Sequence, residues 1–368
     1  MADKSAFSKL FIFTLAWALI FIFIRLFESS FIDAEHFTNY SIIMGAGYLG
    51  LIIFFILSII YWRKNSKKVS RPYIPFSLSI IFIGCGLLFF PMHSYLVNQN
   101  TNGLISKWHT PGNVNGKVPG IICFGGSEGG IFSANIMAEK FSRNNDVALA
   151  VAYFGIDNLP KELENIPLEY FEKAFALMKS NPMVDTNKIA VIGASRGAEL
   201  ALLLASRYPN DIKAVIAIAP SSYVFQGYTP HDWTRRNSTW TYNNQPLPFI
   251  PTLYEKFEKS NNILEMFKSS ISQTEYLEKA AIEVEKINGP VLLISGEDDQ
   301  LWPSSLMSEQ IMKRLKENNF RFMYKHLVYK NAGHAFMTTR LGGTQEGNDF
   351  AQSDSWDKTF EFLQEAFK

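Results

Sequence analysis

The stretch Lys188-Ile-Ala-Val-Ile-Gly-Ala-Ser-Arg-Gly-Ala-Glu-Leu-Ala-Leu-Leu-Leu-Ala-Ser206 decides how the chain is read. Ile189 to Ile192 is a short apolar run rich in β-branched residues, and strong helix formers begin at Ala198. Between them Gly193-Ala194-Ser195-Arg196-Gly197 has to turn sharply from strand to helix, the setting of a nucleophile elbow. Glycines two positions either side of the serine remove Cβ atoms that would collide in so tight a turn. Ser195 is left at the tip, its hydroxyl exposed beside a helix N-terminus. A G-x-S-x-G match arises by chance in about one chain in ten of this length, so the flanking patterns carry the argument.

Working outward, the same alternation repeats. An opening strand is expected around residues 104–108 and strands at 118–124, 147–154, 212–219, 291–295 and 324–328. Helices are expected at 131–142, 168–179 and 304–316, with a closing helix at 353–367 that offers Trp356, Phe360, Phe362, Leu363 and Phe367 for packing. Strands alternating with helices predict an α/β domain with a mostly parallel central sheet covered on both faces. This domain is expected to span 98–368. Between about 221 and 285 aromatics and prolines such as Phe225, Trp233, Trp240, Pro248 and Pro251 interrupt the alternation. Their position after a sheet strand suits a cap insertion over a binding site.

The first hundred residues differ in kind. Runs at 7–27, 42–62 and 74–97 are long and apolar enough to cross a hydrocarbon core of roughly 30 Å. They predict a membrane anchor over 1–97 with the lipid bilayer as its partner. Lys4 and Lys9 precede the first run, and the loop 28–41 carries Glu28, Asp33 and Glu35 but no Lys or Arg. The next loop holds Arg63, Lys64, Lys67, Lys68 and Arg71. The positive-inside rule puts the N-terminus and the 63–71 loop in the cytoplasm and everything after residue 98 on the outer face. Gly45-Ala-Gly-Tyr-Leu-Gly50 matches a dinucleotide fingerprint but lies within an apolar run, where small residues serve helix packing.

A formal net charge of +1 over 368 residues gives no basis for a nucleic-acid partner. The two cysteines, Cys85 and Cys123, sit in apolar segments, so neither a disulfide framework nor a thiolate metal site is expected. No cofactor or metal is predicted.

A serine hydroxyl becomes a nucleophile when a base takes its proton and an acid holds that base in the right tautomer. Of six histidines, His36 and His93 belong to the apolar region, His109 precedes the sheet's functional edge, His231 lies in the insertion and His326 within a strand. His334, in the turn Asn331-Ala-Gly-His334 after the last strand, fits the Ser, Asp, His order. The acid comes from Gly296-Glu-Asp298-Asp299, with Asp299 favoured by its spacing from Gly296 and Pro303 and Asp298 its rival. Candidate oxyanion donors are the backbone N–H groups of Arg196 and of Ser127 or Glu128 in the loop Gly125-Gly-Ser-Glu-Gly-Gly130. The Arg196 side chain has two destinations, an anionic substrate headgroup or an ion pair with Glu199.

Taken together, Gly120 to Gly130, Ile166 to Ala174, Gly193 to Ala201, Ile212 to Ala217, Gly289 to Gln300 and Ala332 to His334 resemble one known domain. It is the C-terminal domain shared by acyl-CoA thioesterases and bile acid-CoA:amino acid N-acyltransferases, an α/β-hydrolase family. The resemblance covers roughly residues 104–368. It implies an α/β-hydrolase fold, a Ser195, Asp299, His334 triad and an acyl thioester or ester substrate cleaved through an acyl-enzyme. Serine at the nucleophile resembles the thioesterase branch, since the amidating transferase uses cysteine there. Family enzymes of this type carry an N-terminal β-sandwich where this chain has apolar runs. An outward-facing domain therefore points to a membrane-proximal ester or thioester, its acyl tail resting on the aromatic cap.

Overall fold

Along the sheet strands successive side chains leave on opposite faces, and in the inner strands most of them are apolar, as a sheet covered on both sides requires. The computed structural model describes residues 100–368 apart from 102, 113, 157, 231 and 233. The eight-stranded sheet begins with β1 (Asn100–Thr101), β2 (Leu104–His109), β3 (Val118–Phe124) and β4 (Val147–Ala152). The short strand β5 (Ile166–Pro167), which belongs to a separate three-stranded sheet, precedes β6 (Val184–Ala194) and β7 (Ala214–Ile218) in sequence. After β8 (Trp240–Tyr242) and β9 (Gln245–Pro246), β10 (Val291–Gly296) and β11 (Tyr324–Tyr329) complete the large sheet.

Its spatial order is β1-β2-β4-β3-β6-β7-β10-β11. The first two strands pair antiparallel and every pair from β4 to β11 is parallel. This order, with one antiparallel edge and crossovers between parallel neighbours, is that of an α/β-hydrolase.

Helices α1 (Phe132–Arg143), α2 (Glu172–Ser180), α3 (Arg196–Arg207), α4 (Tyr254–Ser260), α5 (Ile263–Ser270), α6 (Thr274–Ala280), α7 (Ser304–Glu317) and α8 (Gln345–Ala366) follow in chain order. The two faces of the sheet carry different helices. Ile122, Phe124, Leu149, Val151, Val191, Val215 and Leu293 pack with α2, α3 and α7. Their alternates Ile121, Cys123, Ala148, Ala150, Ala190, Ile192, Ala214 and Leu292 pack with α1 and α8. Cys123 is a buried free thiol whose pKa burial pushes up, in keeping with its reading as a small hydrophobe.

Two of the expected helices start well away from where the sequence places them. The helix expected at 168–179 opens as a 3-10 turn, Leu168–Phe171, because Pro167 holds the chain extended just before it. The closing helix starts at Gln345, eight residues earlier than expected, where the Thr344 hydroxyl accepts from the Gly347 N–H at 3.0 Å and caps it. The expected spans at 7–27, 42–62 and 74–97, together with Cys85, His231 and Trp233, lie outside the described residues. Among the described residues no helix is long and apolar enough to cross a membrane.

Segment 219–290 leaves the sheet after β7 and returns at β10. It contains β8, β9, α4, α5 and α6, and its Tyr223, Phe225, Ile250 and Ile271 form a small core with Trp302 and Met307.

Phe141 ties α1 to α8, meeting Trp356 and Phe360 edge-on with ring centroids 5.4 and 5.7 Å away. Fully buried as it is, Phe141→Ala is expected to cost about 3–5 kcal/mol. Urea unfolding followed by tryptophan fluorescence measures this; a loss below about 1 kcal/mol would mean this face is not packed as described.

Candidate active site

Parallel register brings the C-terminal ends of the strands to one edge. Phe124 lies opposite Gly193, Ala194 opposite Ile218 and Gly296 opposite Tyr329. The segments that leave this edge carry the glycine loop after β3, Ser195 after β6, Asp299 after β10 and His334 after β11.

The elbow is a steric construction. Ser195 adopts φ 57° and ψ −120°, a backbone conformation that L-residues rarely occupy. A Cβ on Gly193 would lie 1.9 Å from the Gly197 carbonyl oxygen, and one on Gly197 would lie 2.2 Å from that of Gly125. Only glycine at both positions lets strand, turn and loop approach this closely. The Ser195 N–H donates to the Ile218 carbonyl at 2.8 Å, fastening the turn to β7. Arg196 opens α3, where a backbone N–H has no acceptor within its own helix.

Asp299 is buried and fully engaged. One carboxylate oxygen accepts from the backbone N–H groups of Leu301 (2.9 Å) and Trp302 (3.2 Å). The other accepts from the Ser304 hydroxyl (2.6 Å) and from His334 Nδ1 (2.8 Å). An ionised carboxylate only accepts, so Nδ1 carries the proton and the Nε2 of the neutral ring keeps its lone pair. That Nε2 is buried and has no hydrogen-bond partner among the described residues. Trp302 packs edge-on against the imidazole, centroids 5.9 Å apart, and its indole N–H donates to the Ala219 carbonyl just beyond β7. Asp298, by contrast, is exposed and serves the turn, accepting from the Gly343 N–H at 2.8 Å.

The structure thus joins Asp299 to His334 and sets Ser195 on the same edge, half-buried, without a hydrogen bond to His334 Nε2. Such contacts commonly tighten when substrate binds. In the glycine loop Glu128 folds back so that its carboxylate accepts from the Gly126 N–H at 3.0 Å. Gly126 itself lies against the elbow, since a Cβ there would come within 3.2 Å of the Ser195 Cβ. Ser127 is half-buried and Glu128 exposed. Two of the other histidines lie among the described residues, and both have other partners. His109 bonds Asn135 at 3.1 Å, and His326 bonds Ser295 at 2.8 Å, burial lowering its pKa to about 4.

The Arg196 side chain takes the second of its two destinations. It pairs with Glu199 at 2.7 Å, and its other nitrogen donates to the Gln226 carbonyl at 2.9 Å and to the Thr239 hydroxyl. Glu199 also accepts from the Trp240 indole N–H at 2.7 Å and the Phe225 N–H at 3.3 Å. Sequence spacing flagged the Arg196 and Glu199 pair. The parts played by Trp240, Ser304 and Tyr153, whose hydroxyl donates to the Gly125 carbonyl at 2.6 Å, had no local signal. Among the described residues no cluster of His, Cys, Asp or Glu could hold a metal ion.

A sequence profile of the family described as BAAT / Acyl-CoA thioester hydrolase C terminal matches residues 166–339. Acyl-coenzyme A amino acid N-acyltransferase 1 of Mus musculus is 31% identical over 226 residues, covering 60% of this chain and 49% of that protein. Acyl-coenzyme A thioesterase 1 of Mus musculus is 26% identical over 267 residues, covering 67% of this chain and 60% of that protein. The chain therefore spans about half to three fifths of the length of these curated relatives. Among solved structures, a dienelactone hydrolase-like promiscuous phosphotriesterase from metagenomic libraries aligns with a TM-score of 0.47 and 15% identity, over 72% of this chain and 93% of that one.

Burial is the largest influence on Glu199 and raises its carboxyl pKa to about 6, against the opposing pull of Arg196 and the Trp240 hydrogen bond. A carboxyl whose pKa is higher folded than unfolded holds its proton more firmly in the native state. Its stabilising contribution is full below about pH 4.5 and is lost as pH rises through about 6. Relative to Glu199→Gln, the wild type should therefore lose about 2 kcal/mol of stability between pH 4.5 and 6.5. Urea midpoints across that range measure it, and a gap that does not change with pH contradicts the assignment.

Proposed function

We propose that this domain is a serine hydrolase that cleaves acyl thioesters or esters through an acyl-enzyme, in the manner of an acyl-CoA thioesterase. The observation that carries the reading is the buried Asp299–His334 pair, whose unpartnered Nε2 lies on the edge that also bears the elbow serine. The sequence similarity to acyl-CoA thioesterases and acyltransferases supports the substrate class.

In this reading His334 Nε2 takes the Ser195 hydroxyl proton as Oγ attacks the carbonyl carbon. The carbonyl electron pair becomes an oxyanion held by the Arg196 N–H and that of Ser127 or Glu128. Collapse of the tetrahedral intermediate breaks the bond to the leaving thiolate or alkoxide, which receives the proton from His334. Water then attacks the acyl-enzyme, giving its proton to the same imidazole, and the acid departs as Ser195 is reprotonated. The triad accounts for the chemistry, while segment 221–285 serves as a cap whose aromatics meet the acyl tail.

A second reading, acyl transfer to an amine acceptor, is favoured by the similarity to an amino acid N-acyltransferase. It follows the same steps to the acyl-enzyme and differs only in what attacks it. Product that appears only when an amine is supplied distinguishes the two. The apolar runs at 7–27, 42–62 and 74–97 extend the proposal to a multi-pass membrane protein with its catalytic domain outside. Thiol labelling of cysteines introduced into the 63–71 loop from outside intact cells would reverse that orientation.

Ser195→Ala is expected to abolish labelling by a fluorophosphonate probe, and persistent labelling would remove Ser195 from the role. With p-nitrophenyl butyrate and acyl-CoA thioesters, Asp299→Asn should lower kcat by about 10⁴ because the imidazole loses its tautomer. Asp298→Asn should stay within about tenfold, since its carboxylate serves only a turn. Equal losses at the two positions would contradict the assignment.

A further inference from the structure

The donors assigned to the oxyanion come from two separate pieces of backbone, the glycine loop after β3 and the first turn of α3, and something has to fix the distance between them. We infer that Trp240, on β8 of the insertion, is the positioning residue that sets this spacing, acting through Tyr153 on one side and Glu199 on the other. The inference rests on the serine hydrolase reading given above.

Trp240 is fully buried. Its indole N–H donates to Glu199 at 2.7 Å, and Glu199 in turn holds the Arg196 guanidinium at 2.7 Å. Arg196 is the residue whose backbone N–H opens α3. Trp240 thereby fastens the elbow side of the site. The same ring lies 5.7 Å, centroid to centroid and tilted by 47°, from that of Tyr153. Tyr153 stands at the end of β4 and is itself buried, and its hydroxyl donates to the carbonyls of Gly125 (2.6 Å) and Gly126 (3.3 Å). These are the two residues that lead into Ser127 and Glu128. Trp240 thereby also backs the loop side.

The indole also has anchors outside the loop and α3. Trp240 pairs with Ile166 in the small sheet, its carbonyl accepts from the Leu247 N–H at 2.9 Å, and its ring meets Phe171 edge-on at 6.4 Å. Loop and helix also touch directly, the Gly125 carbonyl lying where a Cβ on Gly197 would fall. Backbone contact alone sets a minimum approach. A maximum is set by the buried chain Gly125, Tyr153, Trp240, Glu199, Arg196, in which directional hydrogen bonds hold both ends and the close-packed contact of the Tyr153 and Trp240 rings joins them. The insertion is thus coupled to the chemistry through a side chain that is itself fully buried.

The test uses the full-length chain, with active sites titrated by a fluorophosphonate and turnover measured on p-nitrophenyl butyrate. Trp240→Phe keeps a ring against Tyr153 and removes the indole N–H; Tyr153→Phe keeps its ring and removes the hydroxyl. Each should lower kcat per titrated site by about 10- to 100-fold, the scale of a misplaced catalytic group. KM should stay within about twofold, because the losses fall on the transition state. The double variant should lose little more than the worse single variant, since both cut one chain of contacts. Phe141→Ala, destabilised on the opposite face of the sheet, controls for stability and should keep its kcat per titrated site. The inference is overturned if either aromatic variant loses titratable sites or melting temperature but keeps kcat per site, or if their losses multiply. A wild type with no titratable Ser195 would instead overturn the serine hydrolase reading, and this inference with it.

Discussion

A serine held at φ 57° and ψ −120° is an unfavourable local state, of order 1–3 kcal/mol, and it persists only where the surroundings over-determine it. Here they do. The turn is nailed to β7 through the Ser195 N–H, and the absence of side chains at Gly193 and Gly197 lets α3 press against both β6 and the glycine loop. Everything at the edge of the sheet follows from that approach. Had either glycine carried a Cβ, α3 would stand off, and the Arg196 N–H and the glycine loop could not share one site.

The second constraint is electrostatic. Burying an arginine and a glutamate is costly unless every remaining donor and acceptor is used. The Arg196–Glu199 pair meets most of that demand with groups drawn from the insertion: the Gln226 carbonyl, the Thr239 hydroxyl, the Phe225 N–H and the Trp240 indole. The Arg196 Nε alone has no partner among the described residues. An ion pair of this kind contributes little net stability, but it specifies where the insertion sits relative to α3. A segment of irregular backbone and short helices is thereby held in register with α3.

Much of the fold was legible because buried parallel strands write themselves as apolar runs bounded by glycine turns. Ile189 to Ile192 and Val291 to Ser295 are such runs, and residues at their C-terminal ends share one edge by topology alone. The choice between Asp298 and Asp299 was less legible, because adjacent residues in a turn differ only in which way they face. Burial and the Ser304 hydroxyl distinguish them in the structure. Trp240 and Tyr153 had no local signal at all. One sits in an insertion without periodicity and the other at the end of an apolar strand, and what matters about them is contact across nearly ninety residues of chain. The start of α8 was missed for a simpler reason. Its first turn, Gln345-Glu-Gly-Asn348, is polar and holds a glycine, so only the Thr344 cap marks it.

The proposed function requires Ser195 to carry the acyl group in a covalent intermediate. The most direct measurement is peptide mass spectrometry on the full-length chain mixed with an acyl-CoA thioester and quenched in acid within a turnover. In the wild type the acyl mass should appear on the peptide containing Ser195 and accumulate further when water attack is slowed by low temperature. Turnover with no acylated Ser195 peptide, or an acyl group found on another residue such as Cys123, would contradict it.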